Sequence, residues 1–430
     1  MLKRKVVIVI SFMFLMMSMM GCGSKGTSSN VENNKDSKKD VTLTYGIWDK
    51  NQEPGMRAMA DRFEELNPGI KVNVEVTPWD EYWMKLEAAA TGGALPDVFW
   101  MHTNQFLRYA QSDMLLEVGT MVEKDPELSY DNYPEGLVKM YEYNGKNYAI
   151  PKDFDTIGLI YNRKIFDDAK VPYPDDTWDW DKLVEVAKQL TDESKGIWGF
   201  AAENSSQSGF YNIIYQNQGS VIKEDLLESG YDMPETIEAI QFWTDLILKH
   251  KVSPTLAQMT DTTPIALFTS GKVAMMFMGS WMITELTTNE NTKEVADIAI
   301  LPKGKTRATI YNGLGNSISA KTKYPEEAKK FLKFLGSKEA NLIQAEHGSA
   351  IPAFEGTQAP WIQYNTKYNL GAFVEMLDYG IPFPSSETKN KWERNEETYR
   401  LKMFSGEISV EEGCKALAEE MNEHLATEKK

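Results

Sequence analysis

The chain is poor in the residues that metal centres, disulfides and covalent catalysis require. Among its 430 residues there are two cysteines and four histidines. His102, His250, His347 and His424 are scattered, with no HExxH, CxxC or EF-hand spacing, so no metal site is expected. The two cysteines are Cys22, at the end of an apolar leader, and Cys414, so no disulfide is expected. Cys414 shares a helical face with Leu417, Ala418 and Met421 and reads as a small core residue. No GxSxG elbow and no Walker sequence occurs. "NGLGNS" (312–317) has GxG spacing but lacks the third glycine of a dinucleotide fingerprint, so no cofactor is expected. Basic charge is also short, with 46 Lys and Arg against 63 Asp and Glu and a net charge of −17. Residues 1–22 contribute +3 and residues 23–40 a further +1, so the rest is more acidic than the whole. Such a body is a poor nucleic-acid binder and is repelled by anionic head groups.

One long apolar run exists, Val6 to Met20, behind a basic "MLKRK". It is shorter than the ~20 residues a spanning helix needs. It ends in "MMGCG", which reads as a secretory signal over 1–22 cleaved ahead of Cys22. The ending is similar to a bacterial lipobox, with Met19 where Leu is usual, so Cys22 is the expected lipidation site. Residues 23–40, rich in Ser, Asn and Lys, read as a flexible tether to that anchor.

From Val41 the pattern changes. Val41, Leu43 and Tyr45 alternate with Thr42 and Thr44, the period of a strand. Met56, Met59, Ala60, Phe63 and Leu66 fall on one helical face that starts near Pro54 and stops at Asn67-Pro68-Gly69. "IKVNVEV" alternates again, so a βαβ unit with a parallel sheet is expected. The alternation recurs: helices over "DEYWMKLEAAA", "TWDWDKLVEVAKQLT", "PETIEAIQFWTDLILKH", "PEEAKKFLKFLGS" and 408–425, and strands over "LPDVFWM", "NYAIPKDFDTIGLIYN" and "KVAMMFMGSW". No internal repeat is visible. This is an α/β chain, in which ligands sit beyond the carboxyl ends of strands.

Those ends carry Trp48-Asp49, Trp100-Met101-His102 and Gly279-Ser280-Trp281. A flat indole stacks on the C–H face of a sugar ring, and carboxylates and amides bond its hydroxyls. Asp49, Asn104, Asp155 and Asn204 are polar residues of the matching kind. Asp153 and Asp155 could serve a glycosidase by residue type. On a continuous strand they would point to opposite faces, so one acid is expected in a cleft and the other toward water.

Five stretches, in order, resemble one family. They are "MADRFEELNPGIKVNVEV", "LPDVFWMHTNQFLRYAQSDMLLEV", "DFDTIGLIYNRKIFDDAKVPYPDDTWDWDKLVEVAKQLT", "FTSGKVAMMFMGSW" and "GLGNSISAKTKYPEEAKKFLKFL". The chain from 41 to 425 resembles the extracellular solute-binding proteins of ABC importers, in the carbohydrate-binding group that includes maltose-binding protein. The resemblance implies a type II periplasmic-binding-protein-like fold of two α/β lobes, each a sheet flanked by helices, with the ligand cleft between them. It implies an N-terminal lobe of 41–153 with 306–353 and a C-terminal lobe of 156–303 with 358–430. It places Trp281 on the sugar, Asp155 on sugar hydroxyls from the hinge strand, and Trp48 and Asp49 in the cleft loop. Trp100, His102 and Asn104 fall in a second cleft loop that lacks the Asp and Arg expected for maltodextrin. Asn204 and Tyr211 fall in a variable second-lobe loop, and Asn312 and Gly313 on the return strand facing the cleft. Asp153 is expected at the hinge or rim.

The implied protein is no enzyme. It is a lipid-anchored, monomeric receptor on the extracellular face of the cytoplasmic membrane. Its partners are a sugar or oligosaccharide ligand, an ABC permease and ATPase, and the membrane through its anchor. Two alternatives are a polyamine or other small solute on the same fold, and a secreted carbohydrate-active enzyme.

Overall fold

The protein is described by a computed structural model that covers residues 40–92, 94–223 and 227–428. The leader, Cys22 and the tether up to residue 39 lie outside the described residues. Fourteen strands are described: β1 Val41–Ile47, β2 Ile70–Val76, β3 Val98–Met101, β4 Glu142–Tyr143, β5 Lys146–Asn147, β6 Ile150–Pro151, β7 Asp153–Phe154, β8 Ile157–Asn162, β9 Met275–Gly279, β10 Ala296–Ala299, β11 Thr309–Tyr311, β12 Gly315–Ile318, β13 Ile351–Pro352 and β14 Gly380–Pro382.

The alternation in β1 buries Leu43, Tyr45 and Ile47. The helix Glu53–Leu66 begins with Pro in its first turn and turns Met56, Met59, Ala60 and Phe63 inward. Its length returns the chain alongside β1, and β2 pairs with β1 in parallel from Val41 opposite Ile70 to Ile47 opposite Val76. The larger sheet has the order β2-β1-β3-β12-β6. Its first three strands are parallel, while β12 runs antiparallel to β3 and β6. The expected parallel sheet therefore holds for three strands, because β12 re-enters only after the chain has built a second sheet. That sheet, β10-β8-β9, is antiparallel throughout.

The joint between the sheets is short. β6 ends at Pro151 and β8 begins at Ile157. The chain returns after β10 through β11, and β13 then pairs with β7 in the joint itself. In the second half, Asp179 caps the helix Trp180–Leu190 through Lys182 N at 2.8 Å. The helix Pro234–Leu248 buries Ile240, Trp243 and Ile247, whereas Phe242 stays partly exposed and stacks on Trp180. The C-terminal helices Lys389–Ser405 and Val410–Ala426 pack on each other and on Pro234–Leu248. Cys414 is buried among them as a free thiol, and burial pushes its pKa up to about 12. Among the described residues, no helix is long and apolar enough to cross a membrane.

Candidate functional site

A cavity of about 430 Å3 opens where strands of both sheets end. Trp48 and Asp49 follow β1, Trp79 lies just beyond β2, and His102 follows β3. Ser280, Trp281 and Met282 follow β9 of the second sheet, and Glu285 lies one turn further on. Asp153, Phe154 and Asp155 come from the joint, and Gln207 from the segment that Ser205 caps.

One wall is aromatic. Trp48 is wedged edge-on against Trp79 at 5.0 Å, Tyr82 at 5.1 Å and Trp100 at 5.0 Å. Trp79 remains 40% exposed, unusual for so large an apolar ring. Trp281 owes its position to Gly279. A Cβ on Gly279 would lie 1.8 Å from the indole, so only glycine lets the ring fold back over its own strand.

The other wall is acidic, and here a sequence expectation fails. Asp153 and Asp155 line the same cavity instead of facing opposite ways, and Asp153 is buried, not turned toward water. The reason is that no continuous strand runs through them. β7 stops at Phe154, Asp155 makes a single bridge to Asn312, and β8 starts only at Ile157. Asp153 is fully engaged: Oδ2 pairs with Lys152 Nζ at 2.6 Å, and Oδ1 accepts from Leu314 N at 2.8 Å. Asp155 Oδ1 accepts from Gln207 Nε2 at 2.5 Å and Asn312 N at 3.2 Å. Among the described residues, no hydrogen bond reaches Asp155 Oδ2. Burial, and then the charge of Asp153, hold the Asp155 carboxyl well above the usual range. The cavity is lined by four acids, Asp49, Asp153, Asp155 and Glu285, and by no Lys or Arg among the described residues.

His102 caps the helix Thr103–Gln111, with Nδ1 accepting from Asn104 N at 3.1 Å. Burial, and then Lys389, depress its pKa to about 3, so the ring is neutral. Its Nε2 lies 3.4 Å from Asn312 Nδ2, so both ring nitrogens face protein groups.

The remaining expected residues lie elsewhere. Trp100 is fully buried below the cavity, bonded through Nε1 to Tyr45 at 2.8 Å. β3 ends at Met101, as the run "LPDVFWM" predicts, so Trp100 lies inside the strand as core and His102 is the first residue beyond it. Asn104 lines a second cavity of about 370 Å3, which shares Trp79 with the first, and it accepts from the buried Lys389. Tyr211 is buried against Glu396. Asn204 does not line the cavity, and no partner among the described residues reaches its buried Oδ1. Asn312 is also fully buried; its Oδ1 takes Thr103 and Gly313 N, both at 3.0 Å, while its backbone holds Asp155. Gly313 packs so closely that a Cβ would meet Asp153 O at 2.4 Å. Sequence reasoning missed Trp79, Gln52, Gln207, Glu285 and Lys152. Trp79 could have been found by the strand-end rule that gave Trp48. Gln207 belongs to a loop with no periodicity to place it.

The fold has well-matched relatives. An ABC substrate-binding protein from Listeria monocytogenes in complex with cycloalternan superposes with a TM-score of 0.82 at 28% identity, covering 90% of this chain and 99% of that one. A cyclic alpha-maltosyl-1,6-maltose binding protein from Arthrobacter globiformis shares the fold with a TM-score of 0.76 at 20% identity, over 90% and 99% of the two chains. The galactooligosaccharide-binding protein of Bacillus subtilis is 24% identical over 348 residues, 78% of this chain and 77% of its own. Residues 49–342 match the family described as bacterial extracellular solute-binding protein. With the two-lobed fold of the type II periplasmic binding proteins and a cleft between its lobes, the chain belongs to the bacterial extracellular solute-binding proteins.

Proposed function

We propose that the protein is a lipid-anchored receptor that binds an oligosaccharide in the 430 Å3 cavity and delivers it to the permease and ATPase of an ABC importer. One observation carries this reading: the ends of strands from two sheets bring tryptophan rings and oxygen acceptors to one cavity, Asp155 among them. Trp48, Trp79 and Trp281 offer faces to sugar rings, while Asp49, Asp155 and Gln207 meet hydroxyls. The saccharides named for the Listeria and Bacillus relatives support the same ligand class. Residues 41–153 with 306–353 form one lobe and 156–303 with 358–430 the other. Ligand contacts to both favour the closed state. Lipid on Cys22 and the tether hold a monomer at the extracellular face of the membrane.

A glycosidase needs two available carboxyls, and Asp153 is not one of them, with both oxygens committed to Lys152 and Leu314. Four acids without a lining base favour a second reading, a polyamine held by acids and indoles through cation–π contacts.

The test is tryptophan fluorescence and thermal shift against oligosaccharides and polyamines. A saturable response to one saccharide family, with no product released, is the expected result. Silence toward every saccharide with a response to polyamines overturns the ligand class.

A further inference from the structure

Lys152 is the most deeply buried cation near the cavity, and it does not line it. Its side chain is 1% exposed. The ammonium has three donors and three partners: Asp153 Oδ2 at 2.6 Å, Gln52 Oε1 at 2.9 Å and the face of Trp100 at 4.4 Å. Its backbone is fixed as well. Lys152 N donates to Leu314 O at 2.8 Å, and Lys152 O accepts from Ala353 N and from Gln344 Nε2, both at 3.2 Å. Gln52 passes the constraint on, its Nε2 donating to Asp49 Oδ2 at 3.0 Å. Two of the four lining acids thus hang from one ammonium, Asp153 directly and Asp49 through Gln52.

We propose that Lys152 is a specificity-determining positioning residue: it cancels the charge of Asp153 and aims Asp49, so that the cavity accepts an uncharged polyol and refuses a polycation. The inference rests on the oligosaccharide reading above. A ring of carboxylates beside indoles is by itself a site for an organic polycation. An ammonium behind the wall removes one negative charge from that field without offering a donor to the ligand. It also leaves Asp49 to accept hydroxyls in a fixed geometry. The arrangement is costly to build, since a buried lysine needs compensation from every neighbour. Trp100 supplies part of it, which gives this core tryptophan a role behind the site.

The experiment compares wild type, Lys152→Met and Lys152→Met/Asp153→Asn in the full chain. Each is titrated calorimetrically with the oligosaccharide panel and with spermidine. In Lys152→Met, the saccharide Kd should rise about tenfold or more, and spermidine should bind at least about tenfold tighter than to wild type. The double variant replaces the buried ion pair by neutral groups and protects the fold. It should keep the saccharide loss, because Gln52 and Asp49 are still unpinned, and lose the spermidine gain. A purely structural role would weaken binding without creating affinity for a cation. Saccharide affinity within twofold of wild type in Lys152→Met, or unchanged spermidine binding, overturns the proposal. If Lys152→Met does not fold, Lys152→Gln takes its place with the same two readouts: a saccharide loss with a spermidine gain supports the proposal, and a saccharide loss without that gain overturns it. A wild-type protein that ignores all saccharides refutes the sugar reading and this inference together. Saccharide binding that survives Lys152→Met refutes this inference alone.

Discussion

Asp155→Ala should weaken saccharide binding and leave the fold intact. Oδ1 of Asp155 is committed to Gln207 and to Asn312 N, while no donor from the described residues reaches Oδ2. A ligand hydroxyl that donates to Oδ2 makes a hydrogen bond worth about 1.5–3 kcal/mol when the carboxyl is ionised. The expected rise in Kd is therefore about 10- to 150-fold. Asp155→Asn, which keeps one acceptor and supplies a donor, should fall between Ala and wild type. Stability should move the other way. The folded pKa of Asp155 is raised by burial and then by Asp153. A group that binds its proton more tightly when folded loses stability as pH rises from the unfolded carboxyl range through its folded pKa. Asp155→Asn removes that loss and keeps the Oδ1 acceptor for Gln207 and Asn312 N, so it should not melt below wild type at neutral pH, whereas Asp155→Ala strands both donors and should melt below the Asn variant. Calorimetric titration at pH 7, with thermal melts across the acid-to-neutral range, tests both halves. A Kd for Asp155→Ala within twofold of wild type would refute the assignment of Oδ2 to the ligand.

Two other titrating groups give opposite signs. His102 is depressed to about 3, so its contribution to stability is complete above the unfolded histidine pKa and is lost as pH falls toward 3. His102→Gln should flatten the acid limb of the stability curve by up to about 1.4 kcal/mol per pH unit, read by denaturant melts between pH 4 and 7; an unchanged slope contradicts the burial argument. Glu203, with no charged partner among the described residues, is pushed up to about 7 by burial. Its cost therefore grows as pH rises from the unfolded carboxyl value through 7, and Glu203→Gln should stabilise the protein above pH 7 by up to about 3 kcal/mol. Equal melting temperatures of wild type and variant at pH 8 would disprove it.

The sequence was most informative where a physical rule has a fixed period. The alternation of Val41 to Tyr45, the inward face of Glu53–Leu66 and the paired strand β2 all follow from side-chain spacing. The rule that ligands gather beyond strand ends brought Trp48, Asp49, His102 and Trp281 to the cavity. It misplaced Trp100, which lies inside β3 and not beyond it: all four residues of Val98–Met101 are buried, so the apolar run does not say which of them reaches the cavity. The rule of alternation failed at Asp153 and Asp155 because the joint is broken into bridges. Tyr211, Asn312 and Gly313 were placed by resemblance to the cleft, yet each is taken up by a packing partner distant in sequence: Glu396, Thr103 and Asp153. Lys152 was illegible for the same reason. Of its three partners only Asp153 is a sequence neighbour; Gln52 and Trp100 are brought in from far along the chain.

The division of the cavity between the two sheets has a kinetic consequence. Trp48, Asp49, Trp79 and His102 all follow strands of the larger sheet, which therefore supplies most of the cavity's aromatic wall. Trp281 comes from the other sheet, and its indole lies folded over Gly279. If ligand first meets the richer surface, Trp281 engages only as the lobes close, and its contact is spent on keeping ligand in. Trp281→Ala should therefore raise the dissociation rate and leave the association rate within about threefold, consistent with affinity being tuned mainly through dissociation. The loss corresponds to about 1–2 kcal/mol if roughly 60 Å2 of apolar contact is removed at about 25 cal/mol per Å2. Gly279→Ala should reproduce it, since its Cβ would occupy the place of the ring. Stopped-flow fluorescence of both variants separates the two rates. A loss that falls mainly on association would show that Trp281 belongs to the first encounter, and that this order of events is wrong.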